Sequence, residues 1–351
     1  MRVVVTGATG NVGTAVVAAL AADEKVTEVV GVARRQPDIA PPKTRFVAAD
    51  VAEDDLGPVL AGADALLHLA WIFQPTHRPE VTWQANAVGS ARVFDAAAAA
   101  GVAAVVHASS VGVYSPGEPG RFVDESWPTH SLPTAAYGRE KAYVERVLDA
   151  FEARHQGIRV VRLRPAFIFQ RGSATEQRRI FAGPFVPSTL VRPGRLPVLP
   201  WPRGLSFQAL HTDDVAEAYR LAVVGEARGA FNIAADPVLD AEEVGRVMEA
   251  RTVPVPGRAA RAALASLWRL HVVPAEPALL DLVLGLPLLD TSRARTELGW
   301  EPRTSAVDAM REVLVGMAEG SGAGTPPLRP DSPGSRADEV ATGIGERSMR
   351  D

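Results

Sequence analysis

The stretch Met1-Arg2-Val3-Val4-Val5-Thr6-Gly7-Ala8-Thr9-Gly10-Asn11-Val12-Gly13 decides how the rest of the chain is read. Its first residues are an apolar, β-branched run, and Thr14–Ala22 continues as an alanine-rich helical segment. Between them, glycines accept backbone angles closed to other residues and place no Cβ against whatever the loop encloses. A helix that begins directly after such a loop turns its unpaired N–H groups and the positive end of its dipole towards it, which suits a phosphate. Strand, glycine loop and helix in this order predict a dinucleotide pyrophosphate cradle formed by Gly7, Thr9, Gly10, Asn11, Val12 and Gly13.

Short apolar runs recur at Val26–Val32, Thr44–Val47, Ala65–Leu69, Ala103–Ala108 and Arg159–Leu163, with helical stretches between them. Such alternation implies right-handed βαβ units and an α/β fold with a doubly wound parallel sheet. Ligands of such a sheet sit at the carboxyl ends of its strands. Further along, Tyr137-Gly138-Arg139-Glu140-Lys141 opens a helical stretch that runs to His155. Residues four apart share a helix face, so the phenol and the ammonium can enter one site. A free tyrosine titrates near ~10, and a cation beside it lowers that value and makes proton transfer at neutral pH easier.

Glycines three apart, followed by a Tyr-x-x-x-Lys pair and preceded by Ser109-Ser110-Val111-Gly112-Val113-Tyr114, resemble the extended branch of the short-chain dehydrogenase/reductase superfamily, the NAD(P)-dependent epimerase/dehydratase family. The resemblance covers roughly Met1 to Met317 and implies a Rossmann-type sheet with a smaller C-terminal substrate-binding lobe. It implies Ser110 as the substrate-holding hydroxyl, Tyr137 as the acid/base, and Lys141 as a holder of the nicotinamide ribose. Asn86 matches an asparagine that in relatives orders a water behind the lysine; its other reading is a tie between two backbones. The same resemblance puts Asp50 and Val51 at the adenine, Leu69 and Ala70 near its ribose, and Pro165 and Phe167 at the nicotinamide carboxamide. The other reading of Asp50 is a cap for a helix over Glu53–Leu60.

Cofactor choice is read at the end of the second strand. NAD enzymes place an acid about 20 residues beyond the glycine loop, whereas this chain has Arg34-Arg35 there. A guanidinium suits a 2′-phosphate, so NADP is favoured over NAD.

The chain has 351 residues and 47% hydrophobic content, enough for a large domain and a lobe. A net charge of −4 gives no general reason to expect nucleic acid as a partner. The absence of cysteine removes disulfides and thiolate chemistry. No stretch has the ~18 uninterrupted apolar residues of a membrane span, so a cytoplasmic protein is expected, with a homodimer as one option. The expected division is 1–165 for the dinucleotide domain, 166–318 for the lobe with the chain near 205–225 returning to the sheet, and a flexible tail at 319–351. Within that tail a short helix is expected at Ala337–Thr342.

Three features of the second half bear on substrate. Phe169–Gly204 holds Arg171, Arg178, Arg179, Arg192, Arg195 and Arg203 against one acid, Glu176, and reads as either an anion-recognising lid or a solvated face. Ala278–Leu289 is strongly apolar, fit for core, pocket cover or subunit interface. Asp213 and Asp214 are expected to start a helix at Val215–Val224 through its dipole. Dehydratases of the family follow the catalytic hydroxyl with an acidic pair, and Val111-Gly112 stand there instead. Sugar-nucleotide epimerases of the family usually carry an asparagine at the position of Phe167. What remains favoured is hydride transfer between a ketone and an alcohol on a partly apolar small molecule, an anionic one if the arginines serve it. The alternatives are sugar-nucleotide epimerisation and a non-catalytic dinucleotide sensor.

Overall fold

The computed structural model describes residues 1–73 and 77–332, together with Ser335, Ala337 and Val340. The helix expected at Ala337–Thr342 therefore lies mostly outside the described residues.

Seven strands form the main sheet: β1 (Arg2–Thr6), β2 (Glu28–Ala33), β3 (Thr44–Ala48), β4 (Ala65–His68), β5 (Ala104–Ala108), β6 (Arg159–Pro165) and β7 (Gly229–Ile233). Their spatial order is β7-β6-β5-β4-β1-β2-β3, and every neighbouring pair is parallel. The winding direction reverses between β1 and β4, which opens a crevice at their carboxyl ends. The alternation of side chains across the pleat sorts the core into two layers. Val3, Val5, Leu67 and Val106 face the layer of helices α1 (Asn11–Ala22) and α5 (Thr212–Val224). Val4, Leu66 and Val105 face the layer of α2 (Gly89–Ala99) and α3 (Ala136–Arg154).

The chain does not divide cleanly at Pro165. Phe167–Phe169, Phe207–His211 and Ala235–Leu239 make a three-stranded sheet of the lobe. Between the last two of these, the chain returns to pack α5 against α1 and to add β7 to the edge of the main sheet. Gly229–Ile233 thus belongs to the large sheet, although it falls within the 166–318 span expected for the lobe. Helix Gly257–Arg269 follows further along the chain. The apolar run after it divides into helix Pro277–Gly285 and strand Leu288–Leu289.

Asp213 and Asp214 both lie in the first turn of α5, as expected, and Asp214 makes further contacts. His211 caps α5 by accepting from the Asp213 N–H, while the Asp214 carboxylate takes the N–H groups of Arg303 (2.9 Å) and Thr304 (3.0 Å). Its carbonyl accepts from the buried Trp300 indole at 2.8 Å, so this residue pins the closing segment to the sheet. Helix α6 (Ala306–Glu319) follows and ends at Gly320 in the left-handed region, φ 66. The chain then folds back, and up to Ser332 it lies against the protein, where composition alone predicts a flexible tail.

Candidate active site

The glycine loop leaves β1 and enters α1 within a few residues, and two of its glycines are dictated by its own crowding. Gly7 has φ 71, and a Cβ there would stand 2.7 Å from the Ala70 nitrogen. A Cβ on Gly13 would lie 2.2 Å from the Gly7 carbonyl oxygen. Gly10 is different: a Cβ would meet only that same oxygen, at 3.6 Å, and would otherwise occupy the cleft itself. The cradle therefore fits a diphosphate approaching the backbone at Gly10 and the start of α1. Asn11 spends its side chain elsewhere, its Oδ1 accepting from Gln170 Nε2 (2.6 Å) and Thr212 Oγ1 (3.0 Å).

At the carboxyl end of β5 the chain turns sharply, and Ser110 Oγ accepts the Gly112 N–H at 3.0 Å. Tyr137, in the first turn of α3, lies on this turn, because Gly112 has no side chain to keep its ring away: a Cβ there would stand 2.9 Å from Tyr137 Cε1. Burial pushes the Tyr137 phenol up to about 12, and its bond with the Ser110 hydroxyl pulls the other way. Burial drives Lys141 down to about 7 against the opposing pull of Glu140 and Glu145. Lys141 Nζ donates to the Ala108 carbonyl at 2.6 Å and stands 3.5 Å from the Trp71 ring centroid. The expected depression of the Tyr137 phenol by Lys141 is not a property of the chain alone. The ammonium is engaged with Ala108 and Trp71, and the phenol is protonated at neutral pH.

Asn86 has all its amide groups committed. Oδ1 accepts the Ile72 N–H (2.7 Å), and Nδ2 donates to the Ile72 carbonyl (3.0 Å) and to Glu140 Oε2 (2.8 Å). It ties the segment after β4 to α3, the second of its two sequence readings. Thr82 completes that tie on the other Glu140 oxygen at 2.6 Å.

Two further networks were not foreseen from sequence. His68 joins Thr6 (2.7 Å) to Ser90 (2.9 Å), and burial holds it near 3 and hence neutral, so it links β1, β4 and α2 without a charge. Beneath the site, Glu145 receives Ser109 Oγ (2.5 Å) and both a 2.9 Å and a 2.6 Å bond from Arg164, which also donates to the Tyr114 hydroxyl (2.9 Å). Glu145 and Arg164 are almost wholly buried, so this pair fixes α3 against the ends of β5 and β6. The only sequence signal for it was that an arginine and a glutamate stood in apolar surroundings.

One cavity of about 770 Å³ joins the glycine cradle to Ser110, Tyr137 and Lys141. Arg34, Arg35, Asp50 and Val51 line it at the ends of β2 and β3, with Arg34 Nη1 3.9 Å from Asp50 Oδ2. Asp50 Oδ1 also takes the Ala52 N–H (2.8 Å), which turns the chain, so that the helix expected at Glu53–Leu60 is shortened to Gly57–Leu60. Leu69, Ala70, Pro165 and Phe167 line the middle of the cleft. Beyond Tyr137 the wall is apolar: Trp71, Phe73, Phe181, Leu279, Leu282 and Leu286. Phe73 meets the Tyr137 ring edge-on, with centroids 4.4 Å apart.

Three of the six arginines in this segment, Arg171, Arg178 and Arg179, are engaged within the protein. Arg171 pairs with Glu319, and buried Arg178 pairs with Asp331 at 3.0 Å. Arg179 Nη2 donates to the Pro327 carbonyl at 2.9 Å. Their partners come from the C-terminal segment, which accounts for much of the local basic excess without a substrate anion.

The NAD dependent epimerase/dehydratase family matches residues 3–234. The chain belongs to this family. A 4-hydroxy-2-methyl-3-oxo-4-farnesyl-3,4-dihydroquinoline-1-oxide ketoreductase of Stigmatella aurantiaca is 28% identical, over 89% of this chain and 96% of its own. An uncharacterized protein of Mycobacterium tuberculosis is also 28% identical, over 90% of this chain and 83% of its own. Among solved structures, the Thermus thermophilus UDP-glucose 4-epimerase in complex with NAD is similar with a TM-score of 0.67. It is 20% identical and covers 90% of this chain and 99% of its own, a likeness of fold. Among the described residues no helix is long and apolar enough to cross a membrane, and no cluster of three potential metal ligands occurs.

Proposed function

We propose that this protein interconverts a ketone and an alcohol on a largely apolar small molecule, with NADP as its cofactor. The observation that carries this reading is the position of Ser110 and Tyr137 between the glycine cradle and the apolar wall of Trp71, Phe73, Phe181 and Leu279. A dinucleotide bound along Gly7–Gly13 supplies or accepts the hydride. Lys141 would hold its nicotinamide ribose, Pro165 and Phe167 its carboxamide, and Asp50 and Val51 its adenine. In the reducing direction Tyr137, protonated at neutral pH, gives its phenolic proton to the carbonyl oxygen as the carbonyl carbon receives hydride. The Ser110 hydroxyl donates its one proton to that same oxygen and holds it beside the Tyr137 phenol. Oxidation of the alcohol reverses each transfer.

Support for the substrate class comes from the wall and from Phe167, which offers no polar group to a nucleotide diphosphate. The Stigmatella relative, by its name, reduces a ketone on a farnesyl-bearing ring, and this is chemistry of the same type. Support for NADP is the pair Arg34 and Arg35 at the end of β2, where an NAD enzyme would carry an acid.

The test is cofactor oxidation with a panel of aliphatic and aromatic ketones, UDP-glucose serving as the comparison substrate. Apolar ketones should be turned over, NADPH should bind more tightly than NADH, and Tyr137→Phe should lower turnover by at least about 10²-fold with little change in dinucleotide affinity. Epimerised UDP-glucose without net cofactor change, or full turnover by Tyr137→Phe, would reject the assignment.

A further inference from the structure

We propose that the loop from Gly320 to Asp331 is a latch over the dinucleotide's diphosphate and that Arg329 is a further cation for that diphosphate. The inference rests on the dinucleotide reading above but concerns residues outside the Ser-Tyr-Lys site and outside the matched family region, which ends at residue 234.

The loop is built to hold a shape. Gly320 turns the chain back in the left-handed region, and the two ends of the loop meet where the Asp331 N–H donates to the Gly320 carbonyl at 3.0 Å. Inside it, Ala323 N–H reaches the Leu328 carbonyl (2.6 Å), and Leu328 N–H reaches the Thr325 carbonyl (3.0 Å). Leu328 is fully buried, and the turn at Pro326–Leu328 packs on helix α4 (Ala174–Phe181). Closed loops of this size that pack on their own side chains are compact units and not frayed chain.

The loop is also seated on the cradle. Thr325 Oγ1 donates to the Thr9 carbonyl, inside the glycine loop, at 2.7 Å. On its other side it is clamped by α4, where Thr175 Oγ1 donates to the Ser321 carbonyl at 2.7 Å and Arg178 pairs with Asp331. Pro327, Arg329 and Pro330 then face the same cavity as Gly10 and Asn11. Arg329 is exposed on that wall, and among the described residues its guanidinium has no partner. An arginine held opposite a glycine cradle and a helix N-terminus completes the surroundings of a bound diphosphate. Because the loop stands across the phosphate half of the cleft, it governs how fast a dinucleotide leaves. Its clamping residues Thr175, Arg178 and Leu328 are buried, so the loop must open locally before a dinucleotide can leave.

The experiment measures binding and release of NADPH and NADH by fluorescence titration and stopped-flow displacement, without any ketone present. The proteins are the full chain, a chain ended after Glu319, Leu328→Ala and Arg329→Gln. Arg329→Gln is expected to weaken dinucleotide binding about 5-fold at low salt, with the difference shrinking as salt rises. Leu328→Ala and the shortened chain are expected to speed release about 10-fold or more, with association changed less. Melting of the free proteins reports whether the shortened chain folds; if it does not, the two point variants decide. Unchanged affinity and release rate in both point variants overturn the latch while leaving the functional reading intact. Failure of the full chain to bind either dinucleotide overturns both.

Discussion

On the dinucleotide side of the cleft the surface is mostly main chain: Gly7, Gly13 and the peptide at Leu69–Ala70 lie against one another with no room for side chains, and Gly10 leaves the cleft open. The substrate side is made of side chains, with Trp71, Phe73 and Phe181 from one direction and Leu279, Leu282 and Leu286 from another. A main-chain surface can be altered only by moving the backbone, so it recognises what every dinucleotide shares. A side-chain surface can be recast one residue at a time without disturbing the sheet. Lys141 stands at the seam, with its head between the Ala108 carbonyl and the Trp71 ring.

The sharpest way to break this contrast is Gly13→Ala. Its Cβ would stand 2.2 Å from the Gly7 oxygen, so the loop must shift, and dinucleotide affinity should fall by about 10²-fold or more with a lowered melting temperature. Near-normal binding by titration would mean that the loop gives way and the cradle is not rigid.

At the seam, Lys141→Met tests the burial of a charge. The native lysine titrates at about 7, against 10.5 when free, so the unfolded chain binds more protons between those values and stability rises with pH across that window. Below about pH 7 the native lysine is charged and its burial penalty is present in full; above 10.5 the penalty is gone. Lys141→Met should therefore be more stable than the natural chain at pH 7 by about 1–3 kcal/mol, the lost Ala108 bond and Trp71 contact offsetting part of the gain. The difference should narrow as pH rises towards 10.5. Denaturant melts at about pH 7 and about pH 9.5 check both sign and trend, and a gap that widens with pH would refute the assignment.

On the side-chain wall the expected change is smaller and more selective. Leu279 is half-buried on helix Pro277–Gly285, and Leu279→Ala should raise KM for a favoured apolar ketone about 3- to 10-fold and relax the size limit. NADPH affinity should stay the same. A change in both constants would show that the two walls are coupled.

How much of this was legible in the sequence follows the same division. The cradle was readable because its requirements are local: strand, glycines and helix lie within one stretch and their physics is self-contained. That Ser110, Tyr137 and Lys141 would line one cleft was legible from the family resemblance together with one turn and one helix. Asn86 was ambiguous because its partners, Ile72 and Glu140, come from elements far from it in sequence. Arg171 and Arg178 stayed open between two readings for the same reason: their acids, Glu319 and Asp331, are separated from them by nearly half the chain. The Gly-, Ser- and Pro-rich composition after Glu319 argues correctly that little apolar area can be buried there. It gives no sign that a single leucine, Leu328, suffices when both ends of its loop are tied.

The return of the chain to the main sheet after the lobe carries one more consequence. Strand β6 is buried along its whole length because β7, drawn from Gly229–Ile233, covers its outer side. A fragment ended at Pro165 would leave β6 as an open edge, seven residues long, with unpaired main-chain groups ready to zip onto another copy. The lobe is thus no detachable module. It is the detour the chain takes before sealing its own sheet, and any exchange of lobes between relatives must carry β7 along or inherit an aggregation-prone border.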